Sequence, residues 1–256
     1  MHRYPELRES FKTNCLTRYI GKILLEITQI KKINSLIFKN ILSVFLALVA
    51  IIGLLAHPVN AQSQEDLWIY VTNDRASSVQ TLLDQGLDPN TRDPRGNPII
   101  MQAVRDDSWA VFDVVLNHPK TDVRIMNGYQ ETPLMYVSLV GDLERAKQLV
   151  AKGAQINHLG WTPLHYAAST GQVPVVEYLL AQGALPNAPA PDGSSPITMA
   201  AQAGAIDTVQ VLLEAGADPS AINTNGVNAA QAARNRGHTD LADALDKVVA
   251  KRRQGQ

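Results

Sequence analysis

Histidines are the residue type in this sequence best suited to metal binding, and their spacing does not favour it. Four lie beyond residue 61, and no two stand three or four positions apart, the spacing that places two ligands on one helix face. They are His118, His158, His165 and His238. We therefore expect structural or solvent-exposed roles for them, and no metal site.

Two groups of acidic residues look at first like paired catalytic carboxylates. Asp106 and Asp107 are adjacent, and Asp240 and Asp243 are three positions apart. Acids in such arrangements on a repeat surface are usually solvated. The sequence also lacks a glycine-rich phosphate loop, a GxSxG elbow and an HExxH motif. We therefore predict a protein that is not an enzyme and has no cofactor.

The elements that carry these residues recur along the chain. Residues 162–168 read TPLHYAA and are followed by Gly171, a leucine pair and Gly183. Residues 132–137 (TPLMYV) and 195–201 (SPITMAA) open similar units. The position of the threonine recurs at spacings of 34, 30, 33 and 33 residues, a period typical of a helical solenoid. The residues at this position are Pro98, Thr132, Thr162, Ser195 and Asn228.

These motifs resemble the ankyrin repeat, whose hallmark is TPLHxAA followed by a glycine, a leucine pair and GAD. The resemblance covers most of residues 65–249 and implies an all-α ankyrin-repeat solenoid of about six helix-turn-helix units with β-turn fingers. A finger is the turn that projects between two units. The expected units lie near 65–92, 93–126, 127–157, 158–189, 190–222 and 223–249, and a basic tail follows at 250–256.

Each unit carries its own helix signals. Thr162 is a good N-cap, Pro163 suits the first helical position, and the stripe from Val175 to Leu180 has the spacing of a second helix. We expect Gly171 and Gly204 to end first helices in a left-handed conformation. Tyr136, Tyr166 and Met199 stand at equivalent positions of three units, and their periodicity predicts core packing.

Two units depart from this pattern. In the second, Asp107 replaces the glycine that should end the first helix. In the fourth, only residues 158–161 separate Asn157 from Thr162, so this finger is three residues shorter than the others.

The N-terminal segment has features of an export signal. Residues 41–56 contain no charge, lysines precede them, and Pro58 follows. With small residues at Val59 and Ala61, this arrangement is typical of a secretory signal peptide that is cleaved after Ala61. We therefore expect a leader at residues 1–61 and an exported, bacterial-type protein that is periplasmic or secreted.

Retention of the leader is the alternative. The apolar stretch continues back to residue 36, so residues 36–56 would be the membrane contact of an uncleaved signal anchor facing the periplasm. A buried core helix is a third interpretation. The only cysteine, Cys15, lies in the leader, so the remaining chain needs no disulfide in an oxidising compartment.

The net charge of the chain after the leader indicates which kind of partner to expect. Residues 62–256 contain 15 Lys and Arg against 21 Asp and Glu, a net charge of −6. An acidic body makes a nucleic acid an unlikely ligand class. We expect a monomer that binds a protein, either as a periplasmic adaptor or as a membrane-anchored scaffold. The resemblance also permits an accessory role in stress defence beside catalase-like enzymes.

In ankyrin proteins the fingers and the exposed side of the first helices form the concave binding surface. Carried onto this sequence, that surface has Trp161, Leu139 and Val140 as its apolar residues. An aromatic beside aliphatic residues on a polar face has the composition of a binding hot spot. Packing of Trp161 over the short finger is the alternative. The further candidates are Glu131, Ser169, Thr170 and Ser194.

Overall fold

The computed structural model describes residues 61–254, and within that range the chain forms twelve α-helices in six consecutive pairs. The first helices are α1 (Ala61–Thr72), α3 (Ile99–Arg105), α5 (Pro133–Val140), α7 (Pro163–Ser169), α9 (Pro196–Ala203) and α11 (Ala229–Asn235). The second helices are α2 (Ala76–Asp84), α4 (Trp109–Asn117), α6 (Leu143–Ala151), α8 (Val173–Ala181), α10 (Ile206–Glu214) and α12 (Thr239–Gln254). The predicted all-α solenoid is confirmed.

The expected leader lies outside the described residues, except for Ala61, which is the first residue of α1. Between residues 61 and 254, no helix is long and apolar enough to cross a lipid bilayer. The apolar core predicted at 41–56 is not part of that range, so cleavage after Ala61 stays a prediction.

The helices form two layers. Each first helix packs against the first helix of the next pair, and a second layer of helices lies behind them. The core runs between the layers as a chain of fully buried side chains that includes Phe112, Leu134, Leu164 and Ile197. Because a unit buries its apolar surface only against its neighbours, the order of the units along the chain sets which side chains meet on the surface.

Threonines cap the first helices as the sequence predicts, but the group that bonds to the threonine hydroxyl differs between two units. The Thr132 hydroxyl accepts a hydrogen bond from the backbone N–H of Met135 at 3.4 Å. The Thr162 hydroxyl instead lies 2.8 Å from Nδ1 of His165, whose ring occupies the place of a capping partner. Both threonines therefore fix the start of a helix, but through different groups.

Left-handed residues end the first helices as expected. Gly171 and Gly204 have φ angles of 72° and 70°. There is also no room for a side chain at Gly204, because a Cβ there would lie 2.5 Å from the His238 ring. In the second unit Asp107 adopts a φ of 53° without being glycine. An aspartate tolerates this conformation better than most residues do.

Side-chain amides clamp neighbouring units together. Nδ2 of Asn157 donates to the carbonyl oxygen of Gly183 at 2.8 Å, and its Oδ1 accepts from the N–H of Leu185 at 3.0 Å. Asn90 and Asn187 each make the same pair of hydrogen bonds to backbone groups of the unit that follows their own. These bonds satisfy backbone groups at the exposed turns and link each turn to that of the next unit.

The finger at residues 158–161 differs from the others. In four fingers a backbone N–H donates to a carbonyl four residues later, as Asn127 does to Glu131 at 3.0 Å. Within the described residues, no such backbone bond closes the short finger. Its Leu159 is 97% exposed, while Trp161 is half-buried. The missing three residues therefore leave an open turn that leads directly into Trp161.

The last helix continues beyond the expected end of the solenoid. Helix α12 reaches Gln254, so most of the segment expected as a tail at 250–256 is helical. Arg252 donates from its guanidinium to the carbonyl oxygen of Ala217 at 2.8 Å. The basic residues are thus the final turn of the last unit, where positive charge also suits the helix C-terminus.

Candidate functional site

Two tyrosines from successive units meet on one face of the first-helix layer. Tyr136 is the fourth residue of α5, and Tyr166 is the fourth residue of α7. Their shared helical position places both side chains on the same face of the layer, because α5 packs against α7. Glu131 stands in the finger just before α5, within reach of both hydroxyl groups.

The Glu131 carboxylate accepts three side-chain hydrogen bonds. Its Oε1 accepts from the Tyr166 hydroxyl at 2.5 Å. Its Oε2 accepts from the Tyr136 hydroxyl at 2.9 Å and from Nδ2 of Asn127 at 2.6 Å. Such charge-assisted bonds are short and strong, so they fix the carboxylate and both rings in one geometry.

These contacts set the protonation of the cluster. Burial alone would raise the pKa of Glu131, but hydrogen bonds from Tyr166, Asn127 and Tyr136 and the charge of Arg105 hold that pKa below its ordinary value. Burial and the adjacent carboxylate raise the pKa of both tyrosines. At neutral pH the site therefore combines an ionised carboxylate with protonated phenols.

Trp161 adds a third ring to this cluster. Its centroid lies 6.5 Å from that of Tyr166, with the two planes at 84°. It also meets the buried ring of His165 at 5.5 Å and 81°. These are edge-to-face contacts, which aromatic rings prefer over direct stacking. We call Glu131, Tyr136, Tyr166 and Trp161 the Glu131 site.

The other apolar candidates lie at the opposite end of the first helices. Leu139 and Val140 are the last two residues of α5, and 36% and 44% of each is exposed. The Thr170 hydroxyl donates to the carbonyl oxygen of Leu139 at 2.8 Å, and the Ser169 hydroxyl donates to that of Tyr166. The structure therefore divides the predicted surface into the Glu131 site and this second group.

Ser194 does not belong to either part of that surface. Only 2% of it is exposed. Its hydroxyl donates to Asp192 and accepts from Nδ2 of Asn223, and its carbonyl accepts from His165. Because these bonds stay inside the fingers, Ser194 holds the turn and is not available for a partner.

Sequence reasoning missed the tyrosines and Asn127 as site residues. It placed Tyr136 and Tyr166 in the core, and the Tyr136 ring does pack against it. The correction is that both residues are only half-buried and their hydroxyls converge on Glu131. The available signal was a tyrosine at the same position of two adjacent units with an acid five residues before the first.

Potential metal ligands are scattered over the described part of the chain. Among residues 61–254, no group of three or more His, Cys, Asp or Glu side chains is placed to hold a metal ion. The arrangement of the Glu131 site is that of fixed donors, an anionic acceptor and aromatic surface.

His165 ties its unit to the next one. Its Nδ1 accepts from the backbone N–H of Thr162 at 3.2 Å, and its Nε2 lies 3.1 Å from the carbonyl oxygen of Ser194, to which it donates. This pattern requires a neutral imidazole with the proton on Nε2. Burial accordingly lowers the pKa of His165 to about 4. The expected structural role is confirmed.

A stack of helix pairs with projecting turns and a half-exposed polar and aromatic face defines a repeat module for binding proteins. Two comparisons with the ankyrin-repeat model for three copies match residues 67–158 and 100–190, and the single ankyrin-repeat model matches residues 192–224. The chain belongs to the ankyrin-repeat family and is a protein–protein interaction module.

Several curated proteins resemble part of the chain. The ankyrin repeat and SAM domain-containing protein 6 of Rattus norvegicus is 33% identical over 100 residues, which are 38% of this chain and 11% of that protein. The transient receptor potential cation channel subfamily A member 1 homolog of Caenorhabditis elegans is 38% identical over 94 residues, 36% of this chain and 8% of the relative. The ankyrin repeat protein OPG189 of Variola virus is 35% identical over 92 residues, which are 34% of this chain and 16% of that protein. The chain thus spans a small fraction of these relatives.

Acid should weaken the fold through His165. Its pKa is 6.5 unperturbed and about 4 in the folded protein, so between these values the unfolded chain binds more protons. The free energy of unfolding is therefore fully retained above pH 6.5 and falls toward pH 4 by up to about 3 kcal/mol. Urea melts across this range measure the loss.

His165→Met is the matched control, since Met135 occupies the same position one unit earlier and its Sδ accepts from the N–H of Thr132. The variant should lose most of the pH dependence above about pH 5.5, where ordinary carboxylates remain ionised. An unchanged slope in this variant would contradict the role given to the imidazole.

Proposed function

We propose that this chain is a non-enzymatic adaptor that acts in the periplasm or outside the cell. It binds a partner protein through the concave face of fingers and first helices. The Glu131 site is the centre of this contact. The observation that carries the proposal is Trp161, a half-buried tryptophan held edge-on against Tyr166, whose hydroxyl donates to the ionised Glu131 carboxylate.

The composition of the face supports a protein partner. Tryptophan and tyrosine carry a large share of the energy in protein interfaces, because they combine apolar area with few rotatable bonds. The neighbouring fingers add Tyr129 and Leu159, which are 82% and 97% exposed. Exposed apolar side chains that cluster on a polar surface favour contact with another molecule.

The chemistry of the same groups supports binding over catalysis. The pKa of Glu131 is lowered and those of the two tyrosines are raised, so none of these groups titrates near neutral pH. A general acid or base works best with a pKa near the working pH. His165 is 1% exposed, with both ring nitrogens engaged.

The place of action is supported by the leader. An uncharged core at residues 41–56, followed by Pro58 and small residues up to Ala61, fits a cleaved signal peptide. The absence of cysteine after Cys15 suits an oxidising compartment.

Trp161→Ala tests the binding face. We expect partner affinity to fall by about 2 kcal/mol, as for a central aromatic anchor. The free energy of unfolding should change by about 1 kcal/mol or less, because the ring is only half-buried. A pull-down from periplasmic extract and a urea melt of the same variant supply both numbers.

Trp109→Ala is the control for loss of a tryptophan elsewhere. Trp109 belongs to α4 in the second layer, where it contacts Arg145, so its removal should leave partner capture intact once the folded fraction is matched. A Trp161→Ala variant that loses about 3–5 kcal/mol of stability and none of its binding would instead identify Trp161 as packing for the short finger.

The mass of the mature chain tests the place of action. A protein recovered from the periplasm and beginning at Gln62 supports the soluble adaptor. Recovery of the intact leader in the membrane fraction would replace it with the anchored scaffold, which uses the same binding face.

A further inference from the structure

An arginine of this chain already occupies an aromatic and acidic corner in the second-helix layer. The Arg145 guanidinium carbon lies 4.6 Å from the centroid of Trp109 and 5.7 Å from that of Phe112. Its nitrogens donate to both oxygens of Asp113 at 3.0 and 2.8 Å and to Asp142 at 2.6 Å. A guanidinium is well suited to such a place, because it stacks on rings and donates to carboxylates at once.

The Glu131 site also combines aromatic rings with a carboxylate, but no guanidinium is shown against its rings. Trp161 and Tyr166 form two walls at nearly a right angle, and the Glu131 carboxylate lies at the hydroxyl end of Tyr166. Among the ion pairs of residues 61–254, none includes Glu131. No cation of the described residues therefore lies within ion-pair distance of the carboxylate, and Arg105 acts on it only from further away.

The carboxylate also keeps room for a further donor. Each carboxylate oxygen has two acceptor positions. Within the described residues, Oε2 accepts from Tyr136 and Asn127, whereas Oε1 accepts from Tyr166 alone. By this count, one acceptor position on Oε1 has no donor among the described residues.

We propose that the Glu131 site binds an arginine side chain of the partner protein, with the guanidinium against Trp161 and Tyr166 and one N–H donating to Oε1 of Glu131. This inference rests on the proposed binding face and adds the chemistry of its occupant. A net charge of −6 over residues 62–256 also attracts a basic partner surface.

Arg105 limits how strongly the site binds. Its charge contributes to the lowered pKa of Glu131, so it lies close enough to compete with an incoming cation. Arg105 is the last residue of α3 in the unit before, and it also acts on the pKa of Tyr136. Removal of this charge should therefore strengthen binding of an arginine ligand.

The test is an NMR titration of ¹⁵N-labelled protein with Nα-acetyl-arginine amide. The chain has three tryptophans, Trp68, Trp109 and Trp161, so three indole N–H signals report on separate places. We expect a saturable shift of the Trp161 signal alone, with a dissociation constant on the order of 10 mM for one side chain. Nα-acetyl-citrulline amide, which is neutral and of equal shape, should shift it little.

Two variants separate the contributions. Glu131→Gln should weaken arginine amide binding about threefold or more, since it removes the charge and keeps the size of the side chain. Arg105→Ala should strengthen binding by a similar factor, about threefold. The signals of Trp68 and Trp109 serve as internal controls for folding in both variants.

Equal shifts with citrulline, no shift of Trp161, or a stronger complex in Glu131→Gln would each overturn the arginine assignment. Such a result is distinguishable from failure of the proposed function. Partner capture that still depends on Trp161 would keep the binding face and reject only its occupant, whereas capture independent of Trp161 would reject the face itself.

Discussion

Burial of each helix pair against the pairs before and after it is the constraint on which the rest of this structure depends. The core leucines Leu134 and Leu164 are almost completely buried, yet each belongs to a helix of only seven or eight residues. Isolated helices of this length are marginal in water, so the apolar contact between units supplies their stability. The positions of the residues on the binding face therefore depend on how the units stack.

Hydrogen bonds between neighbouring units fix the register in which these units pack. His165 joins the start of its own helix to the finger of the following unit. Asn157 and Asn187 clamp the turns that follow the second helices. With neighbouring units held in this way, Tyr166 can reach back across 35 positions of sequence to bond Glu131. The Glu131 site is therefore a property of two adjacent units and belongs to neither alone.

The short finger at residues 158–161 sets the position of Trp161, the central residue of the proposed binding face. Three missing residues bring Trp161 directly to the start of α7, where its ring meets His165 and Tyr166 edge-on. A longer finger would begin with a closed turn, as it does at Asn127. The short finger thus places a half-buried tryptophan against Tyr166, whose hydroxyl donates to the ionised Glu131 carboxylate.

Much of the fold could be predicted because its signals are local. A threonine or serine cap, a proline, and glycines at constant spacing specify helix starts and ends without knowledge of distant contacts. The Glu131 site could be predicted only in part. Periodicity placed Tyr136 and Tyr166 against the core but gave no information on where their hydroxyl groups lead.

Two further contacts were hidden from the sequence for the same reason. Ser194 precedes a helix, where exposure is expected, but bonds from its own and neighbouring fingers bury it. Arg124 stands at the position of the clamping asparagines and reaches the carbonyl oxygen of Gly153 at 3.0 Å through a longer side chain. Side chains that act between units depend on the register of the stack, which no single repeat encodes.

The central claim is that contact between neighbouring units stabilises this solenoid, and urea unfolding of Leu164→Ala and Leu245→Ala tests it most directly. Each leucine is 1% exposed, so burial is matched, but Leu164 has a unit on both sides and Leu245 lies in the last unit. We expect Leu164→Ala to lower the free energy of unfolding by about 2–5 kcal/mol. Leu245→Ala should cost clearly less, since only one neighbour packs on its unit. Equal losses at the two positions would contradict stabilisation by neighbouring units.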